Sequence, residues 1–110
     1  ASILVIVDIP EGITIIGDFS FRYCSSLKDI KFPKSLRSIG VNSFFSCSSL
    51  EKVDLLHTNV QEIGMQAFHS CTSLREMTVP DSLQTFGGEG ELWGVFAYCS
   101  KLVPSDIDDN

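Results

Sequence analysis

The sequence predicts an α/β-type, β-rich repeat solenoid, coiled right-handed, with one parallel sheet of about five strands on its concave face and short helical or irregular convex segments. Three observations carry this. The cysteines at positions 24, 47, 71 and 99 are 23, 24 and 28 residues apart. Other columns keep nearly the same step: Gly17, Gly40, Gly64 and Gly87; Leu27, Leu50, Leu74 and Leu102; Phe21, Phe44, Phe68 and Phe96. Pro10, Pro33 and Pro80 close a short apolar segment in three units, with Leu56 in the proline place of the remaining one. A fixed period of roughly 20–50 residues marks stacked units, each burying its apolar face only against its neighbours.

Each unit supplies one strand. In Asp29-Ile30-Lys31-Phe32, before Pro33, a period of two puts Ile30 and Phe32 inside and Asp29 and Lys31 outside. The inward equivalents are Val7 and Ile9, Val53 and Leu55, and Met77 and Val79, with a decayed last pair at Ser105 and Ile107. The glycine column predicts a permissive turn. After it, Phe44, Cys47 and Leu50 stand three residues apart, the spacing of a short helical or 3-10 turn facing inward. Residues 1-110 thus form a single domain of about four to five repeats of 23-24 residues, with an insertion within 88-95. The start at Ala1 without Met fits a processed chain or a piece of a longer array.

Composition removes several function classes. The net charge of -6 argues against binding nucleic acid or an anionic membrane, which needs Lys and Arg in excess. The longest apolar run, Ile3 to Val7, is too short to span a membrane. No basic residue precedes it, as a signal peptide requires. The cysteine spacing rejects a zinc site, and His57 and His69 add no ligand cluster. Asp106, Asp108 and Asn110 imitate the first ligands of a calcium loop without its glycine and closing glutamate, so they read as a solvated acidic tail. No cofactor or metal is expected. Neither Asn42 nor Asn59 starts a glycosylation sequon, which leans the location toward the cell interior, with the cell surface as the alternative.

The unit Ile63-Gly64, Ala67-Phe68, Cys71 and Leu74 resembles the I-G-x-x-A-F-x-x-C-x-x-L signature of the BspA-type (Treponema pallidum-type) leucine-rich repeats. Ile39-Gly40, Phe44, Cys47 and Leu50, and Ile16-Gly17, Phe21, Cys24 and Leu27, match it with Ser43 and Ser20 in the alanine place. The last unit departs, since Val95-Phe96 and Cys99 follow Phe86-Gly87 late. The resemblance implies a curved leucine-rich repeat solenoid used for protein recognition, in some members for cell-surface adhesion, and no catalytic residue.

Candidate contact residues fall in three places. Gly87 to Cys99 spans 12 residues where the other units span 7, so five residues are extra within 88-95. Insertions in repeats map to surface loops. Leu92, Trp93 and Val95 there are the first candidates for a protein partner, against the reading that Trp93 folds back over the end of the core. The outward strand columns come second: Asp29, Lys31, Lys52, Asp54, Glu76 and Thr78. Their alternating signs read either as a self-neutralised sheet face or as a polar binding surface. The third place is the N-terminal strand, apolar on both faces. Its unpaired edge, with Ile3, Val5 and Ile6, calls for cover by an upstream segment, a second copy or another subunit.

The cysteines read foremost as a buried thiol ladder. Disulfides Cys24–Cys47 and Cys71–Cys99 are the alternative, and a catalytic Cys71–His69 pair is the remote one. The functional expectation is a non-enzymatic protein-interaction module presenting a concave sheet and an insertion loop. The alternatives are an accessory subunit of a larger assembly, docked through its N-terminal edge, and an adhesin fragment at a cell surface.

Overall fold

The computed structural model describes residues 3–87 and 92–102. Within them the chain coils through four successive turns, each built from two short parallel strand segments and one bent arm. The first row of segments is β1 (Val5–Asp8), β3 (Leu27–Lys31), β5 (Lys52–Asp54) and β7 (Glu76–Thr78). The second row is β2 (Ile15–Ile16), β4 (Ser38–Ile39), β6 (Glu62–Ile63) and β8 (Thr85–Phe86). One four-residue helix, α1 (Leu92–Val95), lies in the last turn.

The period-two reading of the first row holds. Ile30, Phe32, Val53, Leu55 and Met77 are buried, and Val7, Ile9 and Val79 pack against them half-buried. The pairs Ile6↔Asp29, Asp8↔Lys31, Lys52↔Glu76 and Asp54↔Thr78 stand in parallel register. This row is two two-stranded ladders, β1–β3 and β5–β7, not one continuous sheet. Between β3 and β5 the Glu51 N–H donates to the Lys28 carbonyl at 3.1 Å, so the two halves stay in contact.

The second row forms a four-stranded parallel sheet, β2–β4–β6–β8, that the sequence reading did not foresee. Each strand is only two residues long, too short for an alternation to announce itself. Its inward column is Ile16, Ile39, Ile63 and Phe86, and its outward column is Ile15, Ser38, Glu62 and Thr85.

The arms after the glycines stack by backbone bonds as well. Phe19, Phe21 and Tyr23 donate their N–H groups to the carbonyls of Val41, Ser43 and Phe45 at 3.0, 2.7 and 2.8 Å. Every second residue therefore reaches the next turn, as in a parallel ladder, and the first and last of these donors in the arm, Phe19 and Tyr23, adopt left-handed conformations. Phe19, Asn42 and Gln66 occupy one such column (φ 61°, 53° and 57°), and Tyr23, Ser46, Ser70 and Tyr98 the other (φ 60°, 57°, 62° and 61°).

Inside the arms runs a column of stacked rings. Phe21, Phe44, Phe68 and Phe96 follow one another at centroid distances of 5.0, 5.1 and 5.2 Å and within 6° of parallel. Phe44, Phe68 and Phe96 are fully buried. This repeat spacing matches the separation of hydrogen-bonded strands, about 4.8 Å, because one ring per turn is carried on the same ladder.

The glycine column plays a different part from the permissive turn expected. Gly17, Gly40, Gly64 and Gly87 do not have positive φ; among the described glycines only Gly12 does, at 101°. Their role is close approach. A β-carbon on Gly40, Gly64 or Gly87 would strike the backbone of the preceding turn.

Candidate functional site

The outward strand columns lie on the solvent side of the first row of segments. Lys31, Lys52, Asp54, Glu76 and Thr78 are exposed, and Asp29 is half-buried. Much of their polar capacity is used within the face. The Thr78 hydroxyl donates to Asp54 Oδ1 at 2.8 Å, which holds the Asp54 carboxyl below its ordinary range, helped by the Leu56 N–H and by the charges of His57 and Lys52. The Asp29 carboxylate accepts the Ile30 N–H at 2.9 Å. Arg75 and Glu51 pair at 3.5 Å alongside, Arg75 exposed and Glu51 partly so, where such pairs contribute little. Opposite charges face each other across the strands at Asp8↔Lys31 and Lys52↔Glu76.

Of the insertion candidates, Val95 is fully buried and its carbonyl accepts the Phe68 N–H at 3.1 Å, so its side chain belongs to the core and offers no contact surface. The expectations for the Leu92 and Trp93 side chains, and for residues 88–91, lie outside the described residues. So do those for Ser105, Ile107 and the acidic tail.

A second aromatic column, absent from the sequence reading, runs outside the first. Phe45 and His69 stack at 4.9 Å and 10°, and His69 meets Tyr98 at 5.0 Å. Tyr23 packs edge-on against Phe45 at 5.7 Å. The Arg22 guanidinium covers this end, 4.8 Å from the Tyr23 ring centre and 5.5 Å from that of Phe19. Phe19, Tyr23 and Tyr98 are exposed, Tyr98 at 75%, while Phe45 and His69 are half-buried. The ribbon thus spans all four turns. Its signal was present in the sequence as the residues flanking the core phenylalanines (Phe44-Phe45, Phe68-His69), but mixed residue types hid the column. Burial of its ring holds the His69 pKa below the ordinary histidine value.

The four cysteines are free thiols, as the buried-ladder reading expects. Cys47, Cys71 and Cys99 each donate S–H to a phenylalanine carbonyl of the preceding turn, those of Phe21, Phe44 and Phe68, at 3.1, 3.2 and 3.1 Å. Burial pushes the Cys47 pKa up to about 12. That of Cys71 is raised by the hydrogen-bonded Cys99 thiol and by burial. A thiol held protonated is a poor nucleophile, and the His69 Nδ1 is engaged at 2.7 Å with the Ser70 hydroxyl.

The N-terminal candidates are exposed, Ile3 at 83%, Val5 at 44% and Ile6 at 62%. Leu4, Ile13, Ile15 and Phe19 of the first turn are exposed as well. Among the described residues, no three His, Cys, Asp or Glu side chains converge to hold a metal, and no helix is long and apolar enough to cross a membrane.

Comparison with known proteins agrees with this architecture. The chain is similar to a leucine-rich repeat protein from Bacteroides ovatus, known from its crystal structure, with 38% identity and a TM-score of 0.67. The match covers 74% of this chain and 21% of that one, so the chain spans about a fifth of its length. No curated protein matches. The model of the BspA type leucine rich repeat region matches residues 2–110 in six copies. With the Ile-Gly, Phe, Cys and Leu columns each placed in one stacked ladder, the chain belongs to the BspA-type leucine-rich repeat family.

Proposed function

We propose that the chain is a non-enzymatic protein-recognition module that anchors its partner on the aromatic ribbon of its convex arms. The observation that carries this reading is the ribbon itself: exposed Tyr23 and Tyr98 joined through Phe45 and His69 across four turns, with exposed Phe19 linked to one end by Arg22. Tyrosines supply rigid contact area with a polar tip, and such residues concentrate binding energy at interfaces. The insertion with Leu92 and Trp93 belongs by chain position to the same arm as Tyr98. The concave residues Asp29, Lys31, Lys52, Asp54, Glu76 and Thr78 form a polar face suited to orienting and steering a partner more than to anchoring it. The non-enzymatic part is supported by the protonated, buried state of Cys71 beside the engaged His69.

A photo-cross-linking residue at Tyr98, compared with one at Thr78, tests the reading in extract from the source cells. A partner captured at Tyr98, missed at Thr78 and lost in a Tyr23→Ser/Phe45→Ser variant is the expected result. Capture at Thr78 alone moves recognition to the concave sheet. A second reading, an accessory subunit docked through its N-terminal edge, is favoured by the exposed Ile3, Val5 and Ile6.

A further inference from the structure

The outward face of the first row carries its charges in a pattern with a symmetry of its own. Two columns line one shallow hollow across the strands: Lys28, Glu51 and Arg75 in one, and Asp29, Lys52 and Glu76 in the other. A third column continues with Lys31, Asp54 and Thr78. Lys28 joins the face because it is the extra residue where the β1–β3 register shifts, between Leu27 opposite Val5 and Asp29 opposite Ile6. The second turn thus presents plus, minus, plus (Lys28, Asp29, Lys31). The third presents minus, plus, minus (Glu51, Lys52, Asp54), the inverse in every column, each 23 residues on.

An alternation that served only to neutralise the face from within would pair its charges along the columns. It does so once: among the described residues, Arg75–Glu51 at 3.5 Å is the only lysine or arginine at ion-pair distance from a carboxylate. Lys28, Lys31 and Lys52 are exposed and have no such partner among the described residues. Asp29 and Asp54 make their hydrogen bonds through Oδ1, to the Ile30 N–H and to the Thr78 hydroxyl and Leu56 N–H. Each keeps Oδ2 outside those bonds and on the solvent side of the row.

We propose that this face is a homodimer interface, occupied by a second copy of the chain related by a two-fold axis. The axis lies in the interface, parallel to the strands, between the second and third turns. Rotation about it keeps each residue in its own column, exchanges these two turns and lays the face onto its copy. Lys28 of one copy then faces Glu51 of the other, Asp29 faces Lys52 and Lys31 faces Asp54, and each pairing occurs twice. A two-fold interface must be complementary to itself, and the inversion between the two central turns meets that demand in all three columns. An axis between the third and fourth turns is poorer, since Asp54 then meets the uncharged Thr78 and fewer turns overlap. The net charge of -6 repels a second copy in most orientations. These six side chains sum to zero, so two copies approach here without that repulsion. A small face held by ion pairs makes a weak dimer that dissociates on dilution. The dimer leaves the aromatic ribbon, which lies on the arms, uncovered, so the interface goes beyond the ribbon reading and does not rest on it.

The test is a charge swap read by sedimentation from about 10 µM to about 1 mM chain. Lys28→Glu and Glu51→Lys are made separately, and thermal unfolding of each variant checks that it is folded. The original chain shows a monomer–dimer equilibrium. Either variant alone sets like charges opposite each other twice per dimer, and its dimerisation weakens by about tenfold or more. An equimolar mixture of the two variants sets opposite charges at both places and recovers the dimer. The pair Asp29→Lys and Lys52→Glu repeats the swap in the next column. An original chain that stays monomeric overturns the proposal. So do variants that dimerise as well as the original, as they would through the apolar first turn, and a mixture that gains nothing over its separate components. A cross-link from Thr78 within this dimer joins two copies of the same chain and is identified by its peptides. Capture of another protein at Tyr98 is a separate readout, so the two readings fail independently.

Discussion

Gly40 lies directly against the backbone of Asp18: a β-carbon at Gly40 would stand 2.6 Å from the Asp18 nitrogen and 2.7 Å from the Gly17 carbonyl carbon. The same contact recurs where Gly64 meets Val41 and where Gly87 meets Met65. Backbone held in a hydrogen-bonded ladder cannot move aside as a flexible side chain can. Gly40→Ala and Gly64→Ala therefore each destabilise the fold by about 3 kcal/mol or more, at the upper end of overpacking costs. Urea unfolding of the two variants checks this. A loss under about 0.5 kcal/mol, the ordinary range of a harmless surface change, would contradict the close-approach account.

The ring column makes a graded prediction. Phe68 is fully enclosed and stacked on both sides, by Phe44 at 5.1 Å and Phe96 at 5.2 Å. Phe68→Ala removes a complete ring and opens a cavity, costing about 3–5 kcal/mol. Phe21 has a ring neighbour on one side only among the described residues, Phe44 at 5.0 Å, and is half-buried. Phe21→Ala costs distinctly less. Equal losses at the two positions, measured by chemical denaturation, would mean that Phe21 is covered in solution.

What the sequence made legible follows from how many side chains each feature repeats. The Phe, Cys, Leu and Gly columns repeat one residue type at each turn, and so the inward ladders and the coil were readable from spacing alone. The β2–β4–β6–β8 sheet rests on two residues per turn, of which only the inward Ile16, Ile39, Ile63 and Phe86 repeat a type. The role of the glycines was misassigned because a turn and a close backbone approach both select glycine, and only the geometry separates them. The aromatic ribbon was hidden for a related reason. Its members come from two neighbouring columns, Tyr23 and Tyr98 from one and Phe45 and His69 from the next, so no single spacing reveals it.

The thiol ladder predicts a sharp difference in reactivity. Cys47, Cys71 and Cys99 are buried, and the Cys47 and Cys71 thiols are held protonated, while Cys24 is half-buried in the first turn. Alkylation follows the exposed thiolate. Under native conditions one cysteine is modified, Cys24, and in denaturant all four are. Intact-mass spectrometry with peptide mapping reads both states. Native modification at Cys71 would contradict the packing of the arms, and fewer than four reactive cysteines in denaturant would show a disulfide.

His69 gives the fold a dependence on pH. Its ring is packed between Phe45 at 4.9 Å and Tyr98 at 5.0 Å, and this burial lowers its pKa below the ordinary value of about 6.5. In the unfolded chain the ring titrates near that ordinary value. Between the two values the unfolded state binds more protons than the native state, so stability rises with pH there. The contribution is fully present above about pH 6.5 and is lost as pH falls through the native-state pKa. His69→Phe preserves an aromatic ring in the stack and removes the proton uptake. Urea midpoints taken at pH 7, 6 and 5 should decline for the original chain and decline less for His69→Phe. Parallel declines would assign the acid sensitivity to other groups and leave His69 as a stacking residue only.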